Sequence, residues 1–436
     1  LVADEDVAVS PVSSHMNDVA CVQGRLLDVA NNVVPPVLFE QYAREFVKII
    51  SSVPYGNADD YKDYVTDKRR KMHMRHPITV AAVDANQRSP QQVRRREQDD
   101  KHGNRVKNKV KSFQKKEAYG KPGDPRNIST TTTGHMRHLS TFAYAASEHL
   151  KYYYGPKGAH GSWMLPGSTP VEIANAVHDF ARVLRDLIET DYSRFDGTIS
   201  NWLRDRVEFE FLRSVFDKRH TEELESLLRA EIDQRAFTSH GVEYNTRGTR
   251  LSGSPLTTLG NTVINAFVVY CGLRMSGMSP KEAMRTIGPK YGDDGLDKNC
   301  PQIKEAADAL GLRMKIIKHD TPGTVGFLGR IFPDAINKNY SYFDVLRAIK
   351  KIPVVVNSGT LPMVALHRKL LGYLATDPTT PVLSNYCRAS LRVNGLDPGH
   401  KYEALSSEEL FLSRMGSPWP CAPGADSCVS TDMAIA

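Results

Sequence analysis

Carboxylates set at short, fixed intervals are the side chains in this sequence most able to do chemistry. Asp191-Tyr192-Ser193-Arg194-Phe195-Asp196 carries two with four residues between them, and Tyr291-Gly292-Asp293-Asp294-Gly295 carries an adjacent pair. Adjacent carboxylates at a turn repel unless something cationic holds them. Magnesium takes oxygen ligands and binds through one or two carboxylates while substrate phosphates complete its shell. If the strand ending near Asp191 lies beside the Asp293 turn, Asp191 and Asp293 can share two ions ~4 Å apart, with Asp294 assisting. Between the acidic clusters stands Ser252-Gly253-Ser254-Pro255-Leu256-Thr257-Thr258-Leu259-Gly260-Asn261. Thr257 and Asn261, four apart on a helix, present polar groups on one face. Singly, each cluster has an ordinary reading: a turn or cap, an N-capped helix start, an Asp-Gly hairpin turn. Their order, about sixty and then about forty residues apart, gives them weight together.

Hydrophobic periodicity supplies the elements that must position these groups. Thr169 and Pro170 open a helix whose apolar face runs from Val171 to Leu187, and a strand over Leu187–Tyr192 then delivers Asp191. A helix from about Ile199 to Phe216 follows, then a hairpin over Ala236–Thr246 turning at His240-Gly241. Pro255 opens a helix through Tyr270, and Ile287–Leu296 reads as strand, acidic turn, strand. A helix near Pro301–Leu310 leads to a strand over Leu312–Ile317, and Val325–Phe332 is a further extended piece. Beyond Tyr340 the pattern is helical, over Phe343–Ile349, Met363–Leu374, Val382–Val393 and Glu408–Met415, before a loose tail. Upstream, Phe39–Ile50 has helical spacing and residues 1–20 have no clear period.

The 436 residues exceed what one hydrophobic core organises, so two or three subdomains are expected. The net charge of +7 is concentrated: Asp67 to Arg126 holds 18 Lys and Arg against 7 Asp and Glu, which leaves the remainder net acidic. Broken by Pro77, Pro90, Gly103, Gly120, Pro122 and Pro125, this segment reads as loops and short strands. Its runs at Lys68–Lys71, Arg94–Arg96 and Lys107–Lys116 are either a solvated face or a channel for phosphates. No GxGxxG or GxxxxGK[ST] loop is present, which argues against dinucleotide enzymes and P-loop NTPases. The longest apolar stretch, Asn265–Met275, falls short of the ~18 residues that span a bilayer. Six cysteines form no CxxC pair and read as free thiols. His-Met-Arg-His occurs twice, at His73–His76 and His135–His138, and without companion cysteines reads as coincidence on surface loops. A chain beginning at Leu1 without Met or leader reads as a piece of a longer polypeptide.

In this order, Asp-x4-Asp, Ser-Gly-x3-Thr-x3-Asn and Gly-Asp-Asp resemble the palm motifs of viral RNA-dependent RNA polymerases. The wording Asp191 to Thr198 and Gly292 to Leu296 is most similar to the replicases of nodaviruses, small positive-strand RNA viruses. The resemblance implies an α+β right-hand fold with an antiparallel palm sheet and a mainly helical thumb. Fingers would span 1–185 with a return over 217–250, palm 186–216 and 251–335, thumb and tail 336–436. It implies RNA-directed RNA polymerase activity: nucleotidyl transfer from NTPs to an RNA 3′ end with Mg2+ (Mn2+ the alternative ion) on Asp191, Asp293 and Asp294. Lys116-Glu117, Lys121 and Arg126 match the basic strand that lines the nucleotide tunnel, Glu117 bracing the cations. A lysine after the hairpin would protonate the leaving pyrophosphate; Lys315, Lys318 and His319 compete, and Lys318 is chosen. Phe327-Leu328-Gly329-Arg330 resembles the segment that grips the primer or product strand. Implied partners are the RNA template and product strand, NTPs, other regions of a longer replicase and a homo-oligomer. The implied location is the host cytoplasm, in a replication complex on the outer mitochondrial membrane.

The same resemblance bears on sugar choice. DNA-making relatives place a bulky aromatic residue five positions after the first metal aspartate. Here that position is Asp196, which can accept a hydrogen bond from a ribose 2′-hydroxyl, while Asn261 orients it and Ser252 or Thr257 completes the network. A site built to pair a hydroxyl rejects substrates that lack it, so RNA synthesis is expected. The competing readings are a catalytically silent RNA-binding scaffold and a terminal nucleotidyltransferase.

Overall fold

Thr169 starts the helix that leads into the first acidic strand, because its hydroxyl accepts from the backbone N–H of Glu172 while Glu172 bonds back to Thr169 N. This reciprocal cap, with Pro170 at the first helical position, satisfies donors that would otherwise be orphaned. The structure, a computed structural model, describes residues 8–52, 76–102, 109–158, 160–356, 359–400 and 418–421. The run Lys68–Lys71, His73, Lys107 and the expected helix Glu408–Met415 lie outside the described residues.

In chain order the helices are α1 (His15–Val22), α2 (Val37–Ser51), α3 (Val80–Asn86), α4 (Pro90–His102), α5 (Thr133–Tyr154) and α6 (Pro170–Leu184), then, after a strand and an irregularly wound helical stretch over 201–215, α7 (Thr221–Arg229), α8 (Leu256–Met275), α9 (Pro280–Thr286) and α10 (Pro301–Ala309). Three more, α11 (Val345–Lys351), α12 (Pro362–Thr376) and α13 (Leu383–Val393), make the C-terminal part helical. Strands β1 (Val110–Gln114), β2 (Asn127–Thr130), β4 (Arg235–Thr238) and β5 (Glu243–Asn245) form a sheet in the order β2-β1-β4-β5. The second sheet, β6-β7-β3-β8, joins β6 (Lys290–Tyr291), β7 (Asp294–Lys298), β3 (Leu187–Tyr192) and β8 (Met314–Ile317), every neighbour antiparallel. The third sheet is β11-β10-β9, from β9 (Val325–Phe327), β10 (Arg330–Phe332) and β11 (Tyr342–Phe343).

Burial explains the arrangement. Helix α8 is apolar all round, and Phe267, Val268, Tyr270 and Cys271 sit at its centre fully buried against α2, α5 and α10. By length and composition α8 could cross a membrane, but 89% of its most apolar stretch is packed inside the protein. A second cluster (Ile173, Val177, Leu187, Leu296, Phe327, Phe332) backs the β6-β7-β3-β8 sheet, and a third (Val345, Ala348, Leu370, Leu383, Cys387) is confined to the C-terminal helices.

Several expectations change in detail. Within the basic segment, Arg94–Arg96 lie on helix α4 rather than on a loop, since Pro90 opens a helix instead of interrupting one. Residues 15–22 form a helix capped by Ser14. The helix expected after Asp196 runs over 201–215, but its middle, Arg204–Phe209, is wound with i→i+5 hydrogen bonds. Val325–Phe332 is not one extended piece but two paired strands, turned at Leu328 and Gly329 with positive φ.

Candidate active site

The register of the central sheet brings the acidic clusters together. Glu189 pairs with Leu296 and Thr190 with Gly295, so one further step sets Asp191 opposite Asp294 at the open end of the β3–β7 ladder. Tyr291 pairs with Asp294, leaving Gly292 and Asp293 as a two-residue turn. The turn therefore falls two positions earlier than an Asp294-Gly295 hairpin would put it. Gly292 takes the left-handed conformation (φ 66°) that the tight connection needs. Gly295 instead lies within β7 and must lack a side chain, because Thr190 Oγ1 and Lys290 Nζ crowd the space a Cβ would fill.

Helix α8 holds this turn in place. Thr262 Oγ1 accepts from Gly292 N–H at 2.8 Å. Asn265 Nδ2 lies 3.1–3.3 Å from the carbonyl oxygens of Gly292, Asp293 and Asp294, and its Oδ1 accepts from the Tyr192 hydroxyl at 3.3 Å. Beneath the turn a buried pair, Lys290 Nζ to Asp297 Oδ1 at 2.5 Å, is joined by Thr190 Oγ1 donating to Asp297 Oδ2 at 2.9 Å.

Burial, then the charges of Asp196 and Asp191, pushes the Asp293 carboxyl up to about 6. Burial, then Asp293 and Asp191, pushes Asp294 up to about 7. The nearest cations, Arg126 toward Asp293 and Arg347 toward Asp294, offset this only in part. Among the described residues no three His, Cys, Asp or Glu side chains are set close enough to hold a metal ion as they stand. The chemistry of this crowded, under-neutralised carboxylate set nonetheless suits a divalent ion whose shell substrate phosphates would complete.

A different environment surrounds Asp196, five residues after Asp191. Asn261 Nδ2 donates to Asp196 Oδ1 at 2.9 Å, as the sequence pattern led us to expect. Asn261 Oδ1 in turn accepts from Arg250 Nε at 2.9 Å, and both Arg250 terminal nitrogens donate to the Glu208 carboxylate at 2.6 Å. The chain of charges continues through Arg204, 3.5 Å from Glu208 and 3.8 Å from Glu231, to His135, 2.9 Å from Glu231. Burial raises the Asp196 carboxyl, while the Asn261 hydrogen bond and the Arg250 charge draw it back. His135 is thus on a helix and consumed by Glu231, not on a surface loop, and His76 lies against His220 at 2.9 Å.

Ser252 and Thr257 are placed otherwise than expected. Ser252 Oγ donates to Asn127 O at 2.8 Å and accepts from Ser129 N–H, tying the small-residue loop to β2. Thr257 Oγ1 donates to Leu251 O at 2.9 Å. Both shape the loop; neither bonds Asp196 here. Within the basic connection of β1 to β2, Glu117 braces Lys115 (2.8 Å) and Arg126 (3.5 Å), while Lys116 and Lys121 are exposed. The connection is anchored from a distant part of the chain, since Arg25 donates to Asp124 O and Arg194 pairs with the Asp124 carboxylate. Lys318 donates to Asp186 at 2.7 Å, at the end of β3 remote from the turn. Lys315 is the lysine in register with Asp191. Arg330 is buried and spent on Asp377, Ser341 and the Trp419 ring, so it joins the palm-side hairpin to the C-terminal helices rather than offering a free cation.

Sequence reasoning passed over Thr262, Asn265, Arg250, Glu208 and Arg347. Helical arithmetic could have found Asn265, one turn beyond Asn261. Nothing in the spacing marks Glu208 as the partner of Arg250.

Comparison with known proteins is consistent with this geometry. Residues 158–341 match the family model of viral RNA-dependent RNA polymerases. The chain is 34% identical over 396 residues to the RNA-directed RNA polymerase of Greasy grouper nervous necrosis virus, covering 88% of this chain and 37% of that one. It is 32% identical over 399 residues to the RNA-directed RNA polymerase of Pariacoto virus, covering 89% and 38%. The chain thus spans under two fifths of the length of these relatives. Its structure superposes on the RNA-dependent RNA polymerase of a human picobirnavirus with a TM-score of 0.57 at 11% identity, over 91% of this chain and 78% of that one. The fold is therefore that of a right-hand polymerase, and residues 158–341 belong to the viral RNA-dependent RNA polymerase family, in a chain similar to nodaviral polymerases over most of its length.

Proposed function

We propose that this chain is the RNA-directed RNA polymerase core of a positive-strand RNA virus replicase, joining NTPs to the 3′ end of RNA under the direction of an RNA template. The observation that carries the reading is the meeting of Asp191 with the Asp293–Asp294 turn on adjacent strands, beside an Asp196–Asn261 pair able to receive a ribose. Asp191, Asp293 and Asp294 would hold two magnesium ions. Bound there, the ions would activate the primer 3′-hydroxyl and stabilise the departing pyrophosphate. The chain's own contribution is positional: Thr262 and Asn265 keep the turn rigid, so the carboxylates need not reorganise when substrate arrives.

Arg126, whose charge reaches both Asp196 and Asp293, lies where a triphosphate would pass; Lys116 and Lys121 extend the same strip. For the proton taken up by pyrophosphate we assign Lys315, because β8 sets it opposite Asp191 whereas Asp186 engages Lys318. Asp196 accepts the 2′-hydroxyl, and Asn261 fixes its orientation. RNA template and product, the remainder of a longer replicase and a membrane-associated replication complex in the host cytoplasm are the partners and setting this reading carries, from the likeness to nodaviral polymerases. The test is incorporation of labelled nucleotides on RNA templates of defined sequence. Full-length products complementary to the template are expected. Untemplated additions of one or a few nucleotides would make the chain a terminal nucleotidyltransferase, and RNA binding with no incorporation would make it a scaffold.

A further inference from the structure

We infer that Arg250, held by Glu208, is a positioning residue for sugar selection, which locks the Asn261 amide in the one orientation that presents Asp196 to a ribose 2′-hydroxyl. The inference rests on the sugar-pocket reading above and adds to it a residue pair outside the pocket. Asn261 stands between two groups of fixed polarity. The guanidinium on one side only donates, and Asp196 Oδ1 on the other side accepts from the Asn261 amide. With Oδ1 toward Arg250 Nε and Nδ2 toward Asp196 Oδ1, each at 2.9 Å, both contacts are satisfied. Turned over, the amide would set N–H against N–H and oxygen against carboxylate oxygen. Arg250 thus removes a rotational freedom that Asn261 would otherwise keep, and Asp196 Oδ2 is left for the substrate.

Arg250 is itself immobile. Its side chain and that of Glu208 are 0% and 2% exposed and pair through two 2.6 Å bonds. Its backbone N–H also donates to Asp196 O at 2.9 Å, so one residue fixes both the main chain of Asp196 and the amide that orients its side chain. Glu208 is carried on the i→i+5 segment Arg204–Phe209, a local winding that costs helix regularity and is common where a side chain must be re-aimed. Gly260, next to Asn261, is open to this pair: a Cβ there would lie 2.5 Å from Arg250 Nη2 and 2.7 Å from Glu208 Cδ. A buried ion pair is often no more stabilising than apolar side chains of equal volume, so its placement here is better explained by what it orients.

The experiment measures kcat/KM for ATP and dATP on one RNA template with the full chain and three variants. Arg250→Lys keeps the positive charge but lacks the Nε–H donor. Gly260→Ala keeps every charged group and displaces the pair by steric contact. Asp196→Ala reports on the underlying pocket. Arg250→Lys and Gly260→Ala should each lower the ATP-to-dATP ratio roughly three- to tenfold, through a rise in KM for ATP with dATP changed less than about twofold. Equal losses for both nucleotides in both variants, alongside a lowered ratio in Asp196→Ala, would make the pair merely structural and overturn the inference. An unchanged ratio in Asp196→Ala would instead remove the sugar pocket itself, and the inference with it.

Discussion

Two acidic regions far apart along the chain, the Asp293–Asp294 turn and Asp196, meet burial in different ways. At the Gly292–Asp293 turn the carboxylates crowd one another, and burial with like charge pushes Asp293 and Asp294 up to about 6 and 7. At Asp196 the carboxylate has been given internal partners, Asn261 and, behind it, a buried chain of Arg250, Glu208, Arg204, Glu231 and His135. The first region is electrostatically incomplete without an added cation. The second has a fixed internal donor in Asn261 and a nearby cation in Arg250, which partly offset the cost of burying Asp196. On the proposed reading the difference follows from what each would meet: a phosphate with its ions needs uncompensated negative charge, whereas a neutral hydroxyl needs a rigid acceptor already oriented. Helix α8 serves both, with Asn261 facing the sugar side and Thr262 and Asn265 clamping the turn.

The contrast predicts that loss of charge at the turn is far more damaging than loss of charge at the pocket. Asp293→Asn preserves shape and the Asn265 contact to backbone, yet should lower nucleotide addition on the order of a thousandfold or more. RNA affinity, read by filter binding, should stay within about twofold. Substantial primer extension by the purified variant would remove Asp293 from the ion-binding set.

Asp196→Ala should act on one class of substrate. A hydrogen bond to a charged group contributes about 1.5–3 kcal/mol, so ribonucleotide use should fall roughly ten- to a hundredfold and deoxyribonucleotide use much less. Parallel losses in ATP and dATP kcat/KM would mean that Asp196 supports the metal side of the comparison and not the sugar side.

The basic connection should separate from both. Replacing Lys116, Lys121 and Arg126 by neutral residues is expected to raise the nucleotide KM about tenfold while template affinity changes less. A lost salt-dependent RNA affinity with unchanged nucleotide KM would reassign this strip to the template.

The smallest expected effect is on stability. A carboxylate whose folded pKa is raised from 3.8 binds more protons in the folded chain than in the unfolded one. Without divalent ions the folded state is therefore favoured at low pH and loses stability as pH rises from about 4 through 6 to 7. In chelator at pH 8, Asp294→Asn should be more stable than the parent by on the order of 1–2 kcal/mol, and the gain should shrink toward pH 5. Thermal unfolding at the two pH values measures it. A variant less stable than the parent at pH 8 would show that the turn carboxylates are already compensated.

Residue order alone was enough to pick out the acidic clusters, the strand and helix that flank each, and the pairing of Asp196 with Asn261. Such features are local: a 3.6 or 2.0 period, a Thr-Pro-x-Glu cap and a Gly beside Asp are written in neighbouring residues. The α4 helix was missed because its surface is almost wholly polar, leaving no periodic stripe to read. Telling Lys315 from Lys318 needs the strand register, which sets Lys315 opposite Asp191 and leaves Lys318 at the other end of the strand beside Asp186. Only the tertiary structure could join Arg250 to Glu208, or Asp124 to Arg25 and Arg194, because buried charges must find partners wherever packing brings them. Sequence determined which groups could do chemistry; the folded chain decided which of them are left unneutralised, since that is a property of distance and burial across the whole molecule.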